Sequence, residues 1–188
     1  IFSRLSVSLN QYPYTSLHSF NLWQILDGYW QSDLKLFLRL PKQLWGQILF
    51  LIAYLGLMIH YLRRPDRSLS AQTKLIALVF FASFLFLTRI HERHLLTVFP
   101  FLTVSLIASP KTWAKLWPAY VWLSFSYLLD LAYSYLAVTT LYKTVIFTRP
   151  IMTLFSVLNF AALAYLLIPL KHLPRLSLSL PPVKKLTD

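Results

Sequence analysis

The residue types able to do chemistry are concentrated in one stretch, Thr88-Arg89-Ile90-His91-Glu92-Arg93-His94. Five of these seven residues can carry charge, yet uncharged apolar runs flank the stretch on both sides, Leu75 to Leu87 and Leu95 to Ser109. A polar knot between membrane-length segments is costly unless it lies at an interface, lines a cavity or takes part in a reaction. Arg holds phosphate oxygens bidentately, His exchanges a proton near neutral pH, and Glu orients either partner. The knot therefore reads as an anion pocket at headgroup level, with Arg89, His91 and Arg93 facing a phosphate and Glu92 as orienter. The plainer reading is headgroup anchoring by Arg89 and Arg93, with Glu92 paired to one of them. His91 and His94 at i, i+3 share a helical face. A zincin needs histidines at i, i+4 and a further ligand, so no metal site is read here.

Asp130 is the second anomaly, a carboxylate among Leu128, Leu129 and Leu131 in an otherwise apolar run. Ser126, Tyr127, Tyr133 and Ser134 lie at i−4, i−3, i+3 and i+4, so its helical face is polar and aromatic. An unpaired carboxylate in hydrocarbon costs at least about 2.5 kcal/mol, which calls for a partner or a water-filled cavity. Tyr127 and Tyr133 beside an acid suit a sugar-binding wall. The alternative is an Asp hydrogen-bonded to a neighbouring helix. His60, near Arg63 and Arg64, reads as a headgroup contact.

The elements that must position these residues are legible in the composition. The chain of 188 residues is 57% hydrophobic and only 13% charged, against roughly 25% charged in globular domains. Its repeated apolar runs approach the roughly 20 residues needed to cross a bilayer. The expectation is an all-α polytopic transmembrane bundle with about five spans, at 44–62, 72–88, 94–109, 117–138 and 151–170, the third kinked by Pro100. Residues 1–43 form an N-terminal extracytoplasmic segment. In it Leu34, Phe37 and Leu38 suggest an interfacial helix, and Trp23, Trp30 and Trp45 an aromatic belt. Residues 171–188 read as a basic, Pro-rich cytoplasmic tail, mostly disordered.

The net charge of +12 would suggest nucleic acid in a soluble protein. Here the cations occupy loops between apolar runs, where they set topology and meet phospholipid. Arg63, Arg64, Arg67 and Lys74 make the densest cluster and place loop 63–74 in the cytoplasm. The knot, residues 1–43 and loop 139–150 then share the extracytoplasmic face, and the C-terminus is cytoplasmic. The lack of Cys excludes disulfides and thiolate metal sites.

Two motifs together resemble one family. Thr88 to Leu96 resembles the His-Glu loop of multi-spanning C-superfamily (GT-C) glycosyltransferases, whose bacterial relatives of the GPI- and dolichol-pathway mannosyltransferases carry Arg-Met-His-Glu-Arg-Tyr. Upstream, Ser16-Leu17-His18-Ser19-Phe20-Asn21-Leu22-Trp23 resembles their Ser-Val-Asn-Ala-Phe-Asn-Leu-Trp segment, and Trp30-Gln31-Ser32-Asp33 fits the stretch just after it. His18 stands where the family has Asn, and His94 where it has an aromatic. The resemblance covers roughly residues 10–100. It implies transfer of a hexose, with mannose foremost, from a polyprenyl-phosphate donor to a glycan, lipid or protein acceptor, on the outer face of a bacterial plasma membrane. It also implies a catalytic acid in an earlier loop. With Ile1 at its start, the chain reads as the C-terminal portion of such an enzyme, and the catalytic residue is expected outside it. Asn21 and Trp23 become pocket elements. No cofactor is fixed by the resemblance; a divalent metal stays open, without support from this segment.

A transporter or flippase domain is the alternative from another class, as is a non-catalytic membrane subunit. Transporters show repeats and Gly-interrupted helices; this chain has three Gly and no evident repeat.

Overall fold

The computed structural model describes residues 12–140 and 147–168. The tail 171–188 and the first eleven residues, including Arg4, lie outside them, as does Lys143 in the loop before the last helix. The described chain is mostly helical: α1 (Leu22–Leu26), α2 (Lys42–Leu62), α3 (Leu69–Phe86), α4 (Val98–Ala108), α5 (Pro110–Thr139) and α6 (Arg149–Leu167). Four short strands accompany them, β1 (Ser16–Leu17), β2 (Leu36–Phe37), β3 (Leu40–Pro41) and β4 (Ile90–His91).

Four helices are long and apolar enough to cross a membrane: Lys42–Leu62, Leu69–Phe86, Lys115–Thr139 within α5, and Arg149–Leu167. They match four of the five expected spans. On α2, Leu51, Ile52, Leu55 and Ile59 are each about half exposed or more. An apolar outer surface of this kind suits a bilayer and would be an aggregation liability in water. Over 94–109, where another span is expected, the chain forms a 3-10 helix at Glu92–Thr97 and then the eleven-residue α4. Eleven residues rise about 17 Å, well under a bilayer's hydrocarbon thickness. Pro100 makes no mid-helix kink, because it lies in the first turn of α4, where backbone N–H groups have no intrahelical partner.

α3 is the central element and packs against α2, α4 and α6. Its closest approach, to α4, is fastened by two serines: Ser70 Oγ donates to the Ser105 carbonyl and Ser105 Oγ to the Ser70 carbonyl, both at 2.9 Å. Small hydroxyl side chains let two helix backbones come together where no water can satisfy them. α2 reaches the end of α3 through Gly46, where a Cβ would stand 2.9 Å from the Phe86 carbonyl oxygen. Phe81, Phe84, Leu85, Leu95, Leu102, Leu116, Leu123 and Leu166 fill the core between α3, α4, α5 and α6.

The expected interfacial helix near residues 34–40 is instead a β-hairpin, β2 to β3, turning on Leu38 (φ 47°) and Arg39 (φ 71°). Two successive left-handed residues make the tight turn that matches strand twist. Apolar positions at i, i+3 and i+4 within seven residues cannot separate the two outcomes. Long-range demand decides: the Asp33 and Lys35 carbonyls accept from the Gln43 and Lys42 N–H groups at 3.0 and 3.2 Å. The loop thereby satisfies donors that the start of α2 leaves open.

Candidate functional site

The knot is built onto the N-terminal loop. β4 pairs parallel with β1, Ser16 with Ile90 and Leu17 with His91. Ser19 Oγ donates to the Ile90 carbonyl at 2.7 Å, and the Arg89 N–H to the Tyr14 carbonyl at 2.9 Å. The two stretches singled out in sequence, about seventy residues apart, thus lie side by side. His18, Trp30 and Arg89 all hold positive φ, at 63°, 59° and 62°. Left-handed backbone costs a non-glycine residue about 1–3 kcal/mol and clusters at functional sites.

Arg89 does not present its cation to an incoming anion. Its Nε donates to Asp33 Oδ2 at 2.7 Å and its Nη2 to Gln43 Oε1 at 3.4 Å, while Thr88 Oγ1 donates to the same Asp33 oxygen at 3.3 Å. Asp33 is fully buried. Glu92, expected to pair with Arg89 or Arg93, pairs with neither among the described residues, and Arg89 takes Asp33 instead, which reading along the knot alone does not reveal. Arg93 is exposed and makes no hydrogen bond or ion pair among the described residues, so it is the knot's available cation.

His91 packs edge-on against Tyr12, with ring centroids 5.4 Å apart, and its backbone N–H donates to His94 Nδ1 at 3.0 Å. Burial pushes the His91 imidazole down to about 4, and the charges of Arg93, His94 and His18 add to the shift. The Glu92 carboxylate stands 4.0 Å from His91 Nδ1, beyond hydrogen-bond reach, so burial prevails over that pairing. His91 is consequently a neutral hydrogen-bonding group at pH 7, not one of three cations as its residue type suggests.

Beside the knot lies a buried cluster of acids and aromatic rings. Asp130 is fully buried; its Oδ2 accepts the Phe20 N–H at 3.4 Å, and its Oδ1 has no partner among the described residues. Glu92 and Tyr29 are close enough to feel its charge. Glu92 Oε2, the Tyr29 hydroxyl and Ser126 Oγ are likewise buried without a partner among the described residues. Burial raises the Tyr29 phenol well above its ordinary value, with Asp130 and Tyr133 adding, so it stays a donor. Tyr133 stacks on Tyr29 at 5.2 Å. His18 meets the rings of Tyr29, Trp30 and Tyr133, accepts from Trp30 Nε1 at 3.2 Å, and lies 3.4 Å from Ser134 Oγ. Each buried unsatisfied group costs about 1–3 kcal/mol. Two carboxylates, two hydroxyls and a wall of rings are thus gathered beside the knot.

Other expected site residues hold the fold. Asn21 caps α1, its Oδ1 accepting from the Trp23 and Gln24 N–H groups at 3.1 and 3.2 Å. Trp23 is 1% exposed and donates from Nε1 to the Phe86 carbonyl at 2.8 Å. It is a core peg, not part of an aromatic belt. Tyr127 packs on Phe99, while Tyr133 joins the cluster. Asp33, His18 and Ser126 stand in the sequence reading without a site role, and Tyr29 does not figure in it. Asp33 and Ser126 left signals there, as an acid after the second motif and as the i−4 neighbour of Asp130. Among the described residues, no three His, Cys, Asp or Glu side chains come together as a metal ligand set. Compared with protein-family models, curated proteins and solved structures, the chain has no significant match.

Proposed function

We propose that this chain is the C-terminal part of a membrane glycosyltransferase that moves a hexose, mannose in the first instance, from a polyprenyl-phosphate donor to a glycan, lipid or protein acceptor. The observation that supports this reading is the joining of the two motif-bearing stretches by β1 and β4 beside the cluster of Asp130, Glu92, Tyr29 and His18. In this reading Arg93 meets the donor phosphate, and neutral His91 hydrogen-bonds to it. Arg89, held by Asp33, fixes the register of β4, and the acid-and-aromatic cluster receives the sugar hydroxyls. The anomeric carbon–phosphate oxygen bond breaks with its electron pair leaving on the phosphate, where Arg93 stabilises the charge. The acceptor oxygen bonds the anomeric carbon and loses its proton to a base, which the resemblance assigns to an earlier loop.

The same reading puts the knot and the N-terminal loop on the outer face of a bacterial plasma membrane. Loop 63–74 and the C-terminus are then cytoplasmic, and the 3-10 helix with α4 completes a fifth crossing. A transport role draws less support, because the candidate spans are continuous helices rather than broken ones.

The test uses the full-length protein in membranes with a polyprenyl-phosphate hexose donor. Arg93→Ala and His91→Ala should each lower transfer about a hundredfold or more at unchanged expression. Normal transfer by both variants overturns the proposal.

A further inference from the structure

At the end of the bundle opposite the knot, cations from three helices converge without a buried acid. His60, in the last turn of α2, lies in the field of Arg64 just beyond that helix, Lys74 on α3 and Lys115 on α5. Lys115 is only 3% exposed and has no hydrogen-bond partner among the described residues. Lys74 Nζ donates to the Leu166 carbonyl at 2.7 Å, which leaves two of its three donors. Asp66, the acid nearest Arg64, is exposed and turned to its own backbone, accepting the Ser68 N–H at 2.9 Å. A buried ammonium beside other cations is costly until an anion joins it.

An apolar groove of about 350 Å³ continues from this cluster between α2, α3 and α6, walled by Ala53, Gly56, Ala82, Phe86 and Leu163. Leu57 and His60 line both this groove and the smaller cavity that holds Arg64 and Lys74. A cationic mouth opening into an apolar trough complements a molecule with an anionic head and a hydrocarbon chain. None of the residues lining the trough belongs to the knot, and the site does not rest on the proposed glycosyl transfer.

We propose that this end of the bundle binds a membrane phospholipid, its phosphate held by Arg64 and Lys74 beside His60, and one acyl chain in the trough behind Gly56. Two variants separate the two halves of the site. Arg64→Gln with His60→Gln removes the guanidinium charge and the imidazole donor from side chains that make no hydrogen bond to the fold among the described residues. Gly56→Leu fills the trough at a position where a Cβ meets nothing within 4 Å, so the fold tolerates it.

The experiment incubates delipidated full-length protein in detergent with phosphatidylglycerol and counts bound lipid by native mass spectrometry. Inorganic phosphate serves as competitor, and thermal unfolding as the check on folding. Each variant should weaken lipid retention about tenfold, with the unfolding temperature unchanged and millimolar phosphate displacing little lipid. Undiminished retention in both variants overturns the site. Phosphate binding that is insensitive to Gly56→Leu, with lipid retention equally insensitive, makes the occupant a soluble anion and overturns the lipid assignment.

Discussion

The Arg89 guanidinium donates to the buried Asp33 carboxylate at 2.7 Å, and this bond ties the knot to a loop more than fifty residues earlier. Removing one partner of a buried ion pair leaves an uncompensated charge, which costs about 3–5 kcal/mol. Asp33→Ala should therefore destabilise the detergent-solubilised protein by about that much in chemical unfolding. The double variant Asp33→Leu, Arg89→Leu should recover a large part of the loss. A double variant no more stable than Asp33→Ala would show that the pair acts through something other than its charge.

His91 carries a pH signature. Its folded pKa of about 4 lies below the ordinary His value of 6.5, so the unfolded chain takes up the proton first. The stability contributed by neutral His91 is complete above pH 6.5 and is lost as pH falls towards 4. His18, also lowered by burial, acts in the same direction. Unfolding curves at pH 7 and pH 5 should show a larger loss in the wild type than in His91→Gln. Equal losses would place the titration elsewhere.

Gly46 and Gly56 sit on the same helix in opposite circumstances. A Cβ at Gly46 would press to 2.9 Å on the Phe86 carbonyl oxygen and 3.2 Å on the Thr88 nitrogen, both backbone atoms. Gly46→Ala should lower stability by about 1–3 kcal/mol, as overpacking does. Gly56→Ala should be neutral or stabilising by up to about 1 kcal/mol through helix propensity. Thermal unfolding of the two variants side by side decides it.

Asp130 with its free Oδ1 gives a test of the buried cluster. Asp130→Asn keeps the shape and the acceptor for the Phe20 N–H while removing the acid, so the protein should fold with unchanged or higher stability. Sugar transfer by the full-length protein should fall about tenfold or more if the carboxylate accepts sugar hydroxyls. Full transfer by this variant would make Asp130 a structural residue only.

Topology is measurable on its own. A cysteine placed in the loop between α2 and α3, at residues 63–68, should resist membrane-impermeant labelling of intact cells and react after the membrane is opened. Labelling from outside would invert the orientation and put the knot in the cytoplasm.

Much of this molecule can be read locally. Apolar runs of near-spanning length determine four long helices, because backbone polar groups in an apolar solvent must be satisfied within their own segment. The knot and Asp130 announce themselves through charge where charge is expensive.

Tertiary structure alone decided the relationships between distant residues. That Asp33 rather than Glu92 takes Arg89, that His91 is neutral, and that His18 centres a ring of aromatics all depend on which segments are brought together. The hairpin at Leu36–Pro41 depends on the open N–H groups at the start of α2, and the shortness of α4 on the chain pairing with β1 before it turns into the bundle. The physical reason is common to all of them: periodicity and propensity act over a few residues, whereas burial and hydrogen-bond satisfaction are properties of the whole packed chain.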